Sequence, residues 1–473
     1  MNHQPSLQLT TPGSRYSSRQ KVGLAFIGIG ILFLLITFLG NGALPPTFTF
    51  GMSLIGLIVG SGILFSRLLD QPAGVNNNGV WFSGATARGM IGWILGIIFT
   101  GFYIILYWSP TNLEQLIRGA DPLSMILRGT PADQWFLYGL LYTLAVLVMG
   151  VRMLIKYRDN RYQILRTISV MFFQLGLAFL IPHLMVLLHQ PEFYFSYFWP
   201  LKYDYLWPST FSSLSGPGLG VFLLFWTAVM TVVATPILTY FYGKRWYCSW
   251  VCGCGGLAET AGDPFRHLSD KSTKAWKVER WMVHSVLVFV ILTTLLLWAN
   301  QMSGGGFLGG LTMLFQQWYG FFIGLIFAGV IGVGFYPIMG SRVWCRFGCP
   351  MAAILGLLQK YFSRFRITTN GGQCISCGNC STYCEMGIDV RWYAQRGQNI
   401  IRASCVGCGM CAAVCPRGVL RLENAPMEAR YNGPVLIHHD DVSVQLNDSW
   451  RSNRPIMPSV QEDIPILTDE DVR

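Results

Sequence analysis

The 13 cysteines are the residues of this chain best suited to do chemistry, and every one falls in a cluster. Eight lie in CISCGNCSTYC (374–384) and CVGCGMCAAVC (405–415). Each stretch reads C-x2-C-x2-C-x3-C, and the two repeat at an offset of 31 residues. This spacing wraps [4Fe-4S] cubes, with three thiolates on one tight loop and a fourth crossing to the other cluster. It implies Cys374, Cys377, Cys380 and Cys415 for one cube, and Cys405, Cys408, Cys411 and Cys384 for the other. Gly378 and Gly409 hold matching positions, where a missing side chain admits backbone N–H groups to the sulfurs. Zinc usually takes two ligand pairs separated by a longer loop, which two identical four-cysteine runs do not resemble. Pro416 follows Cys415, as the pattern prefers, but Glu385 follows Cys384. A carboxylate there is expected to make the local potential more negative.

The other five cysteines sit farther back. GKRWYCSWVCG (243–253) aligns without gaps on GSRVWCRFGCP (340–350), at an offset of 97 residues. Each copy follows a long apolar run and delivers a C-x3-C pair: Cys248 with Cys252, and Cys345 with Cys349. At a helix end this spacing puts both thiols on one face. Two facing helices would then supply four thiolates, a count that suits a single iron or iron with bridging sulfide. Structural turns that bind nothing fit the same residues, as does acylation of juxtamembrane cysteines. Cys254 has no counterpart in the second copy. Arg245 and Arg342 read as interfacial anchors that would also offset charge near anionic clusters.

The elements that must position these thiols are membrane helices. The chain of 473 residues is 52% hydrophobic and 12% charged, against about 25% charged in soluble proteins. Eight runs approach the roughly 20 apolar residues needed to cross a bilayer: Val22–Leu39, Phe48–Phe65, Met90–Tyr107, Trp135–Leu154, Ile168–Leu188, Leu219–Phe241, Trp281–Trp298 and Trp318–Met339. The first is long for a signal-peptide core and reads as a retained anchor. Seventeen lysines and arginines between Arg15 and Arg280 flank one side of these spans, against Arg118, Arg128 and Lys202 on the other. The positive-inside rule therefore places both termini and all the cysteine loops in the cytoplasm. There thiols stay reduced and disulfides are rare, which favours metal. The net charge of +11 is explained by these loops and gives no support to nucleic-acid binding.

The expected fold is an all-α polytopic bundle of about eight transmembrane helices with a small α+β bacterial-type 2[4Fe-4S] ferredoxin domain at the C-terminal end. Its divisions are a cytoplasmic N-terminal tail (1–21), spans one to five (22–217) and a repeat-containing core with both C-x3-C motifs (218–366). The ferredoxin domain (367–422) and a polar tail (423–473) follow. That tail carries Glu462, Asp463, Asp469, Glu470 and Asp471 and reads as an irregular, partner-docking segment. The outer loop 189–216 is rich in aromatics and reads as a surface for a partner subunit.

Cys248, Cys252, Cys345, Cys349, Pro350 and the eight tail cysteines together resemble the membrane-bound polyferredoxins. That family includes the quinol-dehydrogenase subunit of periplasmic nitrate reductase systems, the nitrous-oxide reductase accessory protein and the cytochrome oxidase accessory ferredoxin. The resemblance covers roughly residues 218–420, and the first copy departs from it by reading Cys252-Gly253-Cys254 in place of C-P. It implies an inner-membrane protein that passes electrons between the quinone/quinol pool and a soluble or membrane redox partner, in the manner of an oxidoreductase subunit. Assembly of another respiratory complex, by reducing its metal or thiol groups, and membrane redox sensing are the alternatives. Gln174, His183 and His284 are the polar residues inside spans that suit a quinone site. The two histidines fall at opposite ends of their spans, so they do not form a haem pair, and no C-x-x-C-H is present.

Overall fold

The structure is a computed structural model that describes residues 17–40, 44–70, 73–74, 88–216, 219–424, 438–439 and 442–443. The acidic end of the polar tail lies outside them. Among the described residues eight helices are long and apolar enough to cross a membrane: Ser18–Leu39, Pro46–Leu69, Met90–Trp108, Gln134–Lys156, Arg161–Leu187, Gly220–Tyr242, Thr273–Met302 and Leu311–Ile331. Several outrun the apolar windows because polar residues start them. The Asn160 side chain caps the fifth span by accepting from Gln163 N, and Ser272 caps the seventh by accepting from Ala275 N. These hydrogen bonds satisfy orphan N–H groups and extend each helix one or two turns beyond its hydrophobic run. The eighth span is displaced the other way, ending at Ile331, with Tyr336–Met339 a separate short helix.

Small residues set how closely the first two spans approach. A Cβ added at Gly30 would fall 2.8 Å from Leu57 N, and one at Gly60 would fall 2.7 Å from Gly23 O. Backbone contact through glycine is a common way for helices to associate in lipid, where apolar burial gives no net drive. Leu32 and Leu35 on the same hairpin stay exposed, which leaves an apolar face for lipid. The fifth and sixth spans each widen to π-helix, at Phe173–Leu180 and Met230–Ala234. Pro182 and Pro236 lie just beyond these segments. Each lacks an N–H and crowds the carbonyl four residues back, and the wider turn absorbs that conflict.

After the eighth span the chain forms a small lobe. Strand β1 (Phe365–Thr369) pairs antiparallel with β2 (Leu420–Asn424), from Phe365 opposite Asn424 to Thr369 opposite Leu420. The pairing closes the lobe by joining its two ends. Between the strands, Gly378 (φ 80°) and Gly409 (φ 75°) begin the single turns Asn379–Thr382 and Met410–Ala413. The left-handed region is open to glycine and costly to other residues, so these two positions explain the repeated glycine of the cysteine motif.

Candidate iron–sulfur sites

The lobe brings its eight cysteines together in two groups. One cavity of ≈ 360 Å³ is lined by Cys374, Cys377, Cys380 and Cys415, and a second of ≈ 360 Å³ by Cys384, Cys405, Cys408 and Cys411. Each group takes three cysteines from one motif and one from the other, the crossed arrangement expected from their spacing. Among the described residues no three thiols lie within 4.8 Å of one another. A single tetrahedral ion with 2.3 Å bonds holds its sulfurs about 3.8 Å apart. The wider spacing and the cavity between the thiols fit a multi-iron cluster.

The two cavities differ in surroundings. The first includes an exposed thiol, Cys377, and its lining residues all belong to the lobe. The second is pressed against the membrane bundle. Tyr162 Oη donates to Gly407 O (2.7 Å), Gln163 Nε2 and Arg166 Nη1 donate to Cys408 O (2.9 and 3.0 Å), and Gln359 Nε2 donates to Cys405 O (2.8 Å). Ser249 Oγ donates to Val406 O (2.8 Å), and Arg245 lies 4.1 Å over the Phe365 ring. Arg245 is therefore a lobe contact as well as an interfacial residue.

The paired cysteines depart from expectation in shape and in depth. Neither pair rides one helical face. Cys248 ends the short helix Arg245–Cys248, while Cys252 is extended (φ −67°, ψ 126°) and caps Gly253–Glu259. Likewise Cys345 lies in the π turn Trp344–Gly348, and Cys349 caps Pro350–Tyr361. Each pair straddles a helix break, with its second cysteine in the extended conformation that precedes a proline or a helix start. All four are buried and within electrostatic range of one another. Cys254, the cysteine without a counterpart, packs partly buried against the same core.

These loops climb into the bundle. Ser169 Oγ donates to Trp250 O (3.0 Å), and Gly256 abuts Val170. A Cβ on Gly253 would fall 2.5 Å from Gln174 Oε1 and 2.3 Å from Tyr197 Oη, which explains why glycine stands where the second copy has Pro350. Gln174 is about 9 Å along the fifth span from Ile168, where its apolar run begins, at 1.5 Å per residue, roughly a third of the way into a 30 Å hydrocarbon core.

From the other end of the sixth span the aromatic loop descends to meet them. Tyr247 Oη donates to Ser196 O (2.9 Å), and the Phe198 ring packs 4.9 Å from Tyr247. Phe193, Phe198, Tyr205 and Trp207 are buried in this chain. Much of the loop 189–216 is thus packed within the chain, while Phe211 of the same loop stays 37% exposed.

A buried ion network joins the two cysteine regions. Glu259 pairs with Arg166 (2.5 Å), with Arg342 (2.6 Å) and with Arg266. Glu385 pairs with Arg266 (2.7 Å) and Arg342 (2.9 Å). Asp263 takes Arg152 (2.8 Å), Lys156 (2.7 Å) and Arg266 (2.9 Å). Arg342 also donates to Cys248 O (3.1 Å) and approaches Cys345 Sγ (3.7 Å). Far from being an interfacial anchor, it is 1% exposed. Burial alone would raise the Glu259 carboxyl, but Arg166, Arg266 and Arg342 hold it well below the usual carboxylate range. For Glu385 burial wins over Arg266 and Arg342, helped by the neighbouring Glu259 charge, and its pKa is raised. The charge that Glu385 was expected to bring beside Cys384 is therefore offset by two guanidinium groups. Glu259 and Glu385 also come within 4.8 Å of Cys408, but their oxygens are already taken by arginine. Glu259, Asp263 and Arg266 were not legible as site residues, and the only signal was their position just after the first cysteine pair.

Of the three polar residues suited to quinone, Gln174 stands beside the paired cysteines. Its Nε2 donates to Thr143 Oγ1 (3.1 Å), and its Oε1 has no partner among the described residues. His183 is wedged between the Phe136 and Phe179 rings (4.9 and 4.8 Å), in a separate core. His284 is partly exposed on the seventh span.

Residues 224–272 and 319–369 match a family described as "4Fe-4S binding domain", and residues 366–416 match one described as "4Fe-4S dicluster domain". The first match brackets both paired-cysteine stretches. The chain is 27% identical over 173 residues to the "Putative electron transport protein YccM" of Escherichia coli (strain K12), covering 34% of this chain and 47% of that protein. It is 29% identical over 170 residues to the "Methylamine utilization ferredoxin-type protein MauN" of Paracoccus denitrificans (strain Pd 1222), covering 33% and 55%. MauN of Methylobacillus flagellatus is 26% identical over 168 residues, covering 33% and 54%. The chain thus spans about half the length of the curated relatives it matches. No solved structure matches it.

Fold and sites together define a multi-pass membrane protein that carries [4Fe-4S]-binding domains. Over these segments the chain is similar to membrane-associated ferredoxin-type proteins.

Proposed function

We propose that this protein passes electrons between the quinone/quinol pool of the inner membrane and a redox partner at the cytoplasmic face. The observation that carries this reading is the position of the paired cysteines. They are buried, with Gly253 of the first pair's loop against Gln174 of the fifth span, and they pack in one continuous core with Cys380, Cys405 and Cys411 of the lobe.

In this reading Cys374, Cys377, Cys380 and Cys415 hold the outer [4Fe-4S] cluster, and Cys384, Cys405, Cys408 and Cys411 the inner one. Cys248, Cys252, Cys345 and Cys349 hold a further iron or iron–sulfur centre. Bound clusters supply one-electron storage, with potentials set by charge, hydrogen bonds and exposure. The chain supplies the rest. Arg166 and Gln163 fix the Cys408 loop, Arg342 ties both cysteine pairs to the lobe, and the buried carboxylates balance the arginines. Gln174 offers an unpaired carbonyl oxygen as a hydrogen-bond acceptor near the deep cysteines, as a quinol hydroxyl requires. The excess of lysine and arginine in the loops on the lobe's side supports a cytoplasmic lobe by the positive-inside rule.

The test is anaerobic addition of a menaquinol analogue to the purified full-length protein, followed by EPR. Reduction of the clusters to the level reached with dithionite supports the reading. Full reduction by dithionite but none by quinol overturns the quinone link. Normal turnover of an already assembled partner after cluster destruction would favour an assembly role instead.

A further inference from the structure

The two cavities of the lobe face different worlds, and the outer one has the features of a docking site. We propose that its rim receives a soluble one-electron carrier whose surface around its own redox group is acidic. The proposal rests on a cluster in the outer cavity and not on the quinone link.

Three observations point to it. The inner cavity is covered by the bundle through Tyr162, Gln163, Arg166 and Gln359, so only the outer one offers a direct approach from water. The outer rim is positive: Arg391 and Arg417 line the cavity itself, and the exposed Arg396 and Arg421 follow its lining residues Ala394 and Leu420 by two positions and one. None of these four makes an ion pair among the described residues. The acidic residues nearest to them in sequence, Asp389 and Glu423, accept from Ser381 Oγ (2.6 Å) and from Thr368 Oγ1. Finally, the rim carries apolar anchors among its charges. Ile375 is 55% exposed and Trp392 43% exposed, with Arg396 4.2 Å over the Trp392 ring. Exposed aromatics flanked by arginine are the residue types enriched at protein interfaces.

A positive rim attracts an acidic carrier at long range and aligns it before contact. One electron then leaves the reduced carrier, which is oxidised, and reduces the outer site, with no bond made and no proton moved. The rim lies away from the lobe surface that rests on the bundle, which disfavours a lipid headgroup as its occupant.

The experiment is anaerobic stopped-flow mixing of the full-length, detergent-solubilised protein with a dithionite-free, reduced acidic bacterial ferredoxin. Bleaching of the oxidised clusters is followed from low to high salt. The wild-type rate should fall roughly tenfold or more as salt is raised, as steered association does. Arg396→Glu with Arg417→Glu should lower the low-salt rate about tenfold and flatten the salt dependence. Arg396→Lys with Arg417→Lys should retain most of both. Lys274→Glu with Lys277→Glu, the same charge change at the start of the seventh span, should leave the rate unchanged. Dithionite-reduced EPR of every variant checks that both clusters are present.

Equal effects of the two charge reversals, or a rate indifferent to salt, would overturn the proposal. A rate that rises when residues after Asn424 are removed would show that the chain's own acidic end occupies the rim instead. Loss of binding to anionic vesicles by the rim variant, with the ferredoxin rate intact, would assign the rim to the membrane. Because no quinol is used, failure here leaves the quinone reading standing.

Discussion

The lobe and the paired-cysteine core both gather thiols, but they do so by different means. In the lobe, short repeated spacing places each cysteine, and two left-handed glycines turn the chain. In the core, loops from distant parts of the chain converge inside the bundle, and a network of buried charges holds them. The first arrangement is local and nearly self-contained. The second depends on residues more than a hundred positions apart, such as Arg266 and Glu385. Its stability should therefore be fragile to single changes far from any thiol.

The largest effect should come from Glu259→Ala. It leaves Arg166, Arg266 and Arg342 without a shared carboxylate in a buried setting, where breaking one partner of an ion pair costs about 3–5 kcal/mol. Thermal unfolding in detergent should show the loss, together with weakened attachment of the lobe by limited proteolysis. A change below 1 kcal/mol would mean that the network is solvated.

Gly253→Ala comes next. Its Cβ would overlap Tyr197 Oη and Gln174 Oε1, and overpacking of this kind costs about 1–3 kcal/mol. Unfolding midpoints should fall, with the lobe clusters unchanged by EPR.

The glycine pair of the lobe sharpens the inner–outer contrast. Alanine at either position pays about 1–2 kcal/mol for the left-handed backbone. Gly409→Ala should cost more than Gly378→Ala, because its Cβ would also meet the Tyr162 ring at 2.7 Å, while at Gly378 the nearest atom is Arg391 Nη1 at 3.9 Å. Equal losses by denaturant titration would contradict the closer packing of the inner loop.

The smallest effect on stability should follow Cys377→Ser, which alters an exposed position. Iron analysis should show a loss of up to about four atoms, with the lobe still folded and the inner cluster signal retained.

How much of this was legible follows the same division. The eight membrane helices and the ferredoxin lobe were readable because apolar length and cysteine spacing are local signals. The crossed grouping of cysteines around two cavities follows from the same spacing. The depth of Cys248, Cys252, Cys345 and Cys349 was not readable, since a helix break at Cys252 or Cys349 looks in sequence like a helix end at the membrane surface. Arg342 looked like an interfacial anchor because its partners, Glu259 and Glu385, lie 83 and 43 residues away. The aromatic loop 189–216 looked like a surface because nothing local says that Phe198 meets Tyr247.

The central claim is that the deep cysteines connect the membrane to the lobe. Freeze-quench EPR of wild type and Cys345→Ser, each mixed anaerobically with a menaquinol analogue, tests it most directly. The account predicts rapid reduction of the lobe clusters in wild type and reduction slowed at least about tenfold in the variant, with dithionite-reduced signals equal in both. Identical quinol-driven kinetics in the two proteins would contradict it and leave the paired cysteines a structural feature of the bundle.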